Sequence, residues 1–211
     1  MPRKKLLIFP FNGNGIEALD CIDQQEYEFI GFIDDDTAKL SAKNEYPVYD
    51  RSALAKFPEA LVLAVPGSPA SYIRRHEHIA SLGIKDERFA SIVHPSASVG
   101  KSVKLGRNCL LMAGVVITSN AKVGDHVCIL PNSVVHHDSI VGDYTLVGCN
   151  VAIASSTMIG RNCYIGSGTN IINGISIGDY TLVGLGSNVL KSFPAHSKIA
   201  GNPSREITKQ A

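Results

Sequence analysis

Two groups of residues in this 211-residue chain combine types and spacings able to do chemistry. His136-His137-Asp138 sets two imidazoles beside a carboxylate. Imidazole titrates near neutrality, and an adjacent carboxylate can orient it and raise its basicity, as a general base requires. Asn12-Gly13-Asn14-Gly15 follows an apolar run, and Asp34-Asp35-Asp36 ends another. Glycines let a backbone approach phosphate closely, and carboxylates at a strand end meet a ribose or base edge. The Gly13/Gly15 turn is not a full GxGxxG, so a plain tight turn and a solvated acidic run stand beside the nucleotide reading. Cys21, Cys109, Cys128, Cys149 and Cys163 are odd in number and form no CxxC pair. They read as scattered buried or semi-buried thiols in a reducing compartment.

Composition bounds the rest. With 45% hydrophobic and 18% charged residues the chain suits a globular protein of one or two domains. Lys+Arg 20 against Asp+Glu 19 leaves +1, with no basic stripe for nucleic acid. No apolar run is long enough for a bilayer. Met1 to Lys5 resembles the start of a signal peptide, but Pro10 and Asn12 to Gly15 cut the following apolar stretch to about five residues. The expectation is a cytoplasmic protein that binds neither nucleic acid nor membrane.

The elements that must position these residues follow from a repeat. From Val93 to Val189 every sixth residue is Leu, Ile or Val, often followed by glycine, with a small or β-branched residue two places earlier. No α-helix holds a six-residue period on one face. The pattern is the hexapeptide signature of a parallel β-helix, three short strands to an eighteen-residue triangular coil. Each aliphatic residue is expected inside, stacked on the one a coil away, over about 27 Å at ~4.8 Å per coil.

The corners sort into three edges. One, with Gly106-Arg107-Asn108, Gly124-Asp125-His126 and their equivalents, is polar at every coil and reads as solvated. A second, from Met112-Ala113-Gly114 to Gly184-Leu185-Gly186, has no charge, which points to burial against another subunit. The third carries His136-His137-Asp138, with Ser119 one coil before His137 and Ser155 one coil after. A backbone N–H near Ser155 could then face an atom held at His137.

Residues 1–90 follow a different rule. Leu6–Phe9, Phe29–Ile33 and Leu61–Val65 read as buried strands, with helices expected over 16–23 and about 68–82. Alternating strands and helices predict a small Rossmann-like parallel α/β domain that binds ligands at the carboxyl ends of its strands. Residues 84–95 lead into the first coil, and residues 91–211 form the β-helix with its tail.

An α/β domain, a hexapeptide β-helix, Val135-His136-His137-Asp138 and a closing Ile199-Ala200-Gly201-Asn202-Pro203-Ser204-Arg205 together resemble the bacterial nucleotide-amino-sugar N-acetyltransferases. These share a family with sialic-acid O-acetyltransferases, and the resemblance covers nearly the whole chain. It implies a left-handed β-helix, a homotrimer, and acetyl-CoA lying between adjacent subunits, with Ser155, Ser167 and Leu185 at cofactor-contact positions. It implies His137 as general base, supported by Asp138. It also implies a nucleotide-linked amino sugar held by Asn12, Gly13, Asn14, Gly15, Asp34 and Asp35, acetylated on its amine for bacterial surface-glycan synthesis. The chain departs from the family at Pro10, where the turn usually opens with glycine, at Asn14, where histidine is usual, and at Leu146, where some members carry a second histidine.

Other readings make different demands. O-acetylation of a sialic-acid-like sugar would use the same machinery. A zinc hydratase on the same β-helix would need three converging histidines, and His126 falls on another edge from His136 and His137, so no metal is expected. A non-catalytic nucleotide-binding scaffold would leave the His136-His137-Asp138 corner without a task.

Overall fold

The computed structural model describes residues 2–207. The N-terminal unit is a parallel four-stranded sheet of β1 (Lys4–Phe9), β2 (Tyr27–Ile33), β3 (Val48–Tyr49) and β4 (Leu61–Ala64), in the order β3-β2-β1-β4. The buried run at β1 marks a central strand covered on both faces, and β4, at the sheet edge, is buried because Asn108 of the β-helix closes over Ala64. Helix α1 (Gly13–Glu17) begins inside the expected turn, because Asn12 caps it by accepting from the Gly15 amide at 2.8 Å. Short helices α2 (Thr37–Ser41) and α3 (Ala53–Lys56) fill the connections. The helix expected over 68–82 is shorter: a 3-10 turn at Tyr72–Arg74 runs into α4 (Arg75–Ala80). Ser68 and Pro69 instead form a turn in which the Ser68 hydroxyl pairs with that of Ser71 and accepts from the Ala70 amide.

After Ala90 the chain enters the β-helix. Strands β5 to β21, each two residues long, run from Ile92–Val93 to Asn188–Val189 and pair in parallel with the strand eighteen residues away. This is the left-handed parallel β-helix, with three sheets forming a triangular prism. From Leu111 to Val189 every sixth residue is at most 3% exposed. Val93 and Val99 depart from the expectation at 37%, because no coil lies before theirs to cover them. All fourteen third-corner residues from Asn108 to Gly186, six apart, have φ between 50° and 74°. Asn, Asp, His and Gly, the types that enter the left-handed region most easily, hold most of these positions. The chain closes with strands Lys198–Ala200 and Arg205–Glu206. Among the described residues no helix is long and apolar enough to cross a membrane.

One prism face docks the α/β domain. Its outward residues, Ile92, Leu110, Cys128, Leu146, Tyr164 and Leu182, pack with Leu6, Ile8, Phe32 and Leu63 in one apolar cluster. Outward positions on the other faces are mixed, with Lys104, Lys122, Asn170 and Asn188 beside Val116, Val134, Ile140 and Met158. Burying a Leu or Ile stabilises by roughly 1.5–3 kcal/mol, so this stripe is enough to hold the two units together. Two expectations about the edges change as a result. Met112 and Leu130, at the start of the uncharged edge, are covered by the chain's own α/β domain rather than by a neighbour. The polar edge expected to be solvated has Asn108, His126 and Asn162 buried, because α4 and the end of β4 lie over it.

Candidate active site

The strand Val134–Val135 delivers the chain to the corner His136-His137-Asp138, where the left-handed backbone of Asp138 (φ 59°) turns its carboxylate back onto the preceding imidazole. Asp138 Oδ2 lies 2.7 Å from His137 Nδ1. Asn120, one coil earlier, donates Nδ2 to Asp138 Oδ1 at 3.1 Å. The bond from His137 and then that from Asn120 hold the Asp138 carboxyl below the usual carboxylate range. An ionised Asp138 accepts the proton of Nδ1, so His137 presents Nε2 outward as the free base nitrogen. The His136 and His137 rings are 4.6 Å apart, and both side chains are exposed.

The main chain around this corner keeps the bond from each third corner amide to the coil before, but lacks the carboxylates that cap the middle amides of the aspartate-bearing edge. On the aspartate-bearing edge, the middle corner amides of Arg107, Asp125 and Arg161 donate to the carboxylates of Asp125, Asp143 and Asp179. At the histidine corner the Ser156 amide donates to the His137 carbonyl at 3.0 Å and the Gly174 amide to that of Ser155 at 3.1 Å. The Ser155 amide, like the other middle amides of this edge at Ser119, His137 and Asn173, meets no acceptor among the described residues, which leaves a donor one coil from His137.

Ser167 and Leu185 stand on the uncharged edge, apart from Ser155. Ser167 Oγ accepts from the Cys149 amide at 3.0 Å, and Leu185 is 70% exposed. Within one chain these three expected cofactor contacts therefore lie on two different edges.

In the α/β domain the expected residues gather at the carboxyl ends of β1 and β2. Gly15 is required where it sits, since a Cβ there would come 2.5 Å from the Pro10 carbonyl. Asp34 is 5% exposed and fully engaged. It accepts from the Phe11 amide at 2.9 Å, the Lys39 ammonium at 2.8 Å and the Asp36 amide at 2.9 Å. Asp34 thus fastens the Asn12–Gly15 turn to the end of β2. Asp35 instead pairs with Arg51 through two bonds, at 2.6 and 2.7 Å, and Arg51 holds its carboxyl below the usual range. Asp35 and Arg51 line an open groove of about 540 Å³ with Thr37 and Asp50.

A second, more enclosed cavity of about 210 Å³ lies between the two units. Asn14 and the segment Gly67-Ser68-Pro69 form its α/β side. Leu130, Leu146, Gly148 and Tyr164 form its β-helix side. Pro66-Gly67 carries no chemistry of its own in the sequence; its place after β4, level with the Asn12–Gly15 turn, is the signal that would have added it. Leu130 and Tyr164 gave no signal without the docking of the two units. The histidine edge is the prism edge opposite the docking face, so this cavity and His137 lie on opposite sides of the same chain.

The remaining reactive groups have structural surroundings. His126 stacks on Tyr144 with ring centroids 4.6 Å apart, meets Phe89 edge-on, and is pushed down to about 4, chiefly by burial. Burial pushes the thiols of Cys21, Cys109 and Cys163 up to about 11 and that of Cys128 to about 12. Among the described residues no three His, Cys, Asp or Glu side chains converge as a metal site.

Comparison with known proteins agrees with this architecture. Residues 120–155 match the bacterial transferase hexapeptide (six repeats), and residues 96–119 and 156–190 match the hexapeptide repeat of succinyl-transferase. No curated protein matches significantly in sequence. The acetyltransferase domain of PglB from Neisseria gonorrhoeae, solved with acetyl coenzyme A, is similar with a TM-score of 0.84 and 24% identity, over 98% of this chain and 100% of that one. PerB from Caulobacter crescentus, solved with CoA and GDP-perosamine, is similar with a TM-score of 0.81 and 24% identity, over 99% of each chain. WeeI from Acinetobacter baumannii has a TM-score of 0.78 and 23% identity, over 98% and 100%. At this identity the likeness establishes a shared fold along the whole chain.

Proposed function

We propose that this protein transfers the acetyl group of acetyl-CoA to the amine of a nucleotide-linked amino sugar, with the product going to bacterial surface glycans. The observation that carries the reading is the His137–Asp138 pair at 2.7 Å, one coil from the unengaged Ser155 amide. It is supported by the full-length likeness to an acetyltransferase domain solved with acetyl coenzyme A and to PerB solved with CoA and GDP-perosamine.

The α/β domain, residues 1–90, binds the nucleotide sugar. Asn12, Gly13, Asn14 and Gly15 receive the phosphates, in a turn held in shape by Asp34, while Asp35 meets the nucleoside in the groove. The sugar enters the cavity lined by Asn14, Ser68, Leu130 and Tyr164. Since His137 of the same chain faces away from that cavity, the base comes from a neighbouring copy. The face between the uncharged and histidine edges presents Val116, Val134 and Ala152 outward. Three prisms packed about this face set the histidine edge of one copy against the uncharged edge of the next. Ser155 of one copy and Ser167 and Leu185 of the other then line a single acetyl-CoA groove.

As the amine nitrogen attacks the thioester carbonyl, His137 Nε2 takes its proton and Asp138 stabilises the imidazolium. The Ser155 amide donates to the tetrahedral oxyanion. Collapse breaks the carbon–sulfur bond, and the imidazolium returns the proton to the departing thiolate. No covalent enzyme intermediate and no metal enters these steps.

The test is thiol release from acetyl-CoA against amino sugars carried on uridine, thymidine and guanosine diphosphates, with mass analysis of the product. Release with one of them and an amide product is expected. Release only with a hydroxyl acceptor would replace N- by O-acetylation, and binding without release across the panel would leave a scaffold.

A further inference from the structure

Arg75, the first residue of α4, is fully buried, and among the described residues no carboxylate pairs with it. Its guanidinium reaches only main-chain carbonyls. Nη2 donates to His126 O at 2.9 Å and Nε to the same oxygen at 3.3 Å, while Nη1 donates to Pro66 O. Burial pushes it down to about 10, so it remains charged at neutral pH. An unpaired buried cation works against stability, and an apolar side chain would fill the space at less cost. What the guanidinium adds is a rigid planar fork that joins two carbonyls, one from each structural unit.

The carbonyl on the α/β side belongs to the residue that opens the cavity wall, Pro66-Gly67-Ser68-Pro69. Gly67 is gripped from both sides: its φ is +125°, and a Cβ there would lie 2.8 Å from Leu146 Cδ1 and 3.7 Å from Arg75 Nη1. The same seam is pinned above and below. Asn108 exchanges two hydrogen bonds with Ala64, at 2.7 and 2.8 Å, and Asn162 Nδ2 donates to Tyr72 O at 3.1 Å. Asn108, His126 and Asn162 occupy equivalent corner positions in different coils, so the passage from β4 to α4 is stitched along one edge of the prism.

We propose that Arg75 is a positioning residue: by tying Pro66 to His126 it sets the wall Pro66–Pro69 against the β-helix and so sets where the acceptor amine is presented. The catalytic part of this claim rests on the function proposed above. Displacing the wall by about 1 Å misplaces the nucleophile, which costs on the order of 10²-fold in rate.

The test compares Arg75→Met, which keeps length and removes the fork, with Arg75→Lys, which keeps charge but reaches one carbonyl. Turnover with the sugar nucleotide should fall about 10–100-fold in both, with KM for acetyl-CoA within about twofold of wild type. Hydrogen exchange of the Gly67, Ser68 and Ala70–Tyr72 amides should rise in both variants more than in the sheet of the α/β domain. If Arg75→Met does not fold, Arg75→Lys carries both readouts. Full turnover in Arg75→Lys, or exchange that rises evenly over the α/β domain, would make Arg75 a general stabiliser and overturn the proposal. Exchange needs no substrate: a wild-type protein without acetyl transfer refutes the assigned reaction, while unchanged exchange at the wall refutes the role of Arg75.

Discussion

Asp138 Oδ2 sits 2.7 Å from His137 Nδ1, and Asn120 holds the other carboxylate oxygen at 3.1 Å. Both contacts lower the Asp138 carboxyl, the His137 bond most. A lowered carboxyl contributes stability above its unfolded value and loses that contribution as pH falls through its folded value. The hold on the imidazole therefore persists through neutral pH and is lost in acid. Asp138→Asn removes a charge that favours the imidazolium, so the acidic limb of the pH–rate profile should move to lower pH, with turnover reduced about tenfold or more. The profile of this one variant checks the pair, and an unmoved limb would detach Asp138 from the titration.

The opposition of cavity and histidine edge predicts that one chain cannot complete the site. Sedimentation should give a homotrimer. Ser167→Asp, a charge on the uncharged edge, should weaken both assembly and acetyl-CoA binding. His137→Ala and Gly67→Leu should each be inactive alone, yet mixed subunits should recover about a quarter of wild-type turnover, from sites that draw one intact residue from each copy. A wild-type monomer, or mixtures that stay inactive, would contradict the shared site.

Asp34 and Asp35 are neighbours with different tasks, and their variants should separate. Asp35→Ala should raise KM for the sugar nucleotide about tenfold and leave that for acetyl-CoA nearly unchanged, since one charge-assisted contact is lost. Asp34→Ala strands the Phe11 amide and frees Lys39, so it should lower stability by on the order of 2–3 kcal/mol. Denaturation and kinetics on the two variants distinguish these effects.

His126 gives a pH signature of the seam. Its folded value of about 4 lies below that of an unfolded histidine, chiefly through burial. Between those values the unfolded chain binds a proton that the folded one refuses, so stability should rise with pH from about 4 to about 6.5. The full effect is on the order of 3 kcal/mol. His126→Phe should flatten that part of the stability curve while leaving the limb assigned to His137 in place; a curve unchanged by the substitution would remove His126 from the account.

Much of this architecture is legible because the β-helix is a local code. Each hexad states its own inside residue, from Leu111 to Val189, and its own left-handed corner, as at Asn120, Asp138 and Asn150. The His137–Asp138 pair is legible for the same reason, being adjacent residues in one corner. What escaped is tertiary. The stripe Ile92, Leu110, Cys128, Leu146, Tyr164 and Leu182 recurs only every eighteen residues and lies beside the stronger six-residue signal, so the docking face was missed. Without that face, Asn108 and His126 read as solvated. The shortened helix before Leu82 has a local cause: Ser68 and Pro69 favour a turn over the first helical turns.

The most direct measurement is single-turnover acetyl transfer by His137→Ala beside His136→Ala. If His137 is the base, its alanine variant should retain assembly and acetyl-CoA affinity but lose about 10²–10⁴-fold in rate, with His136→Ala affected less. Activity of His137→Ala within about threefold of wild type, a loss far below that of a positioned base, would contradict the account.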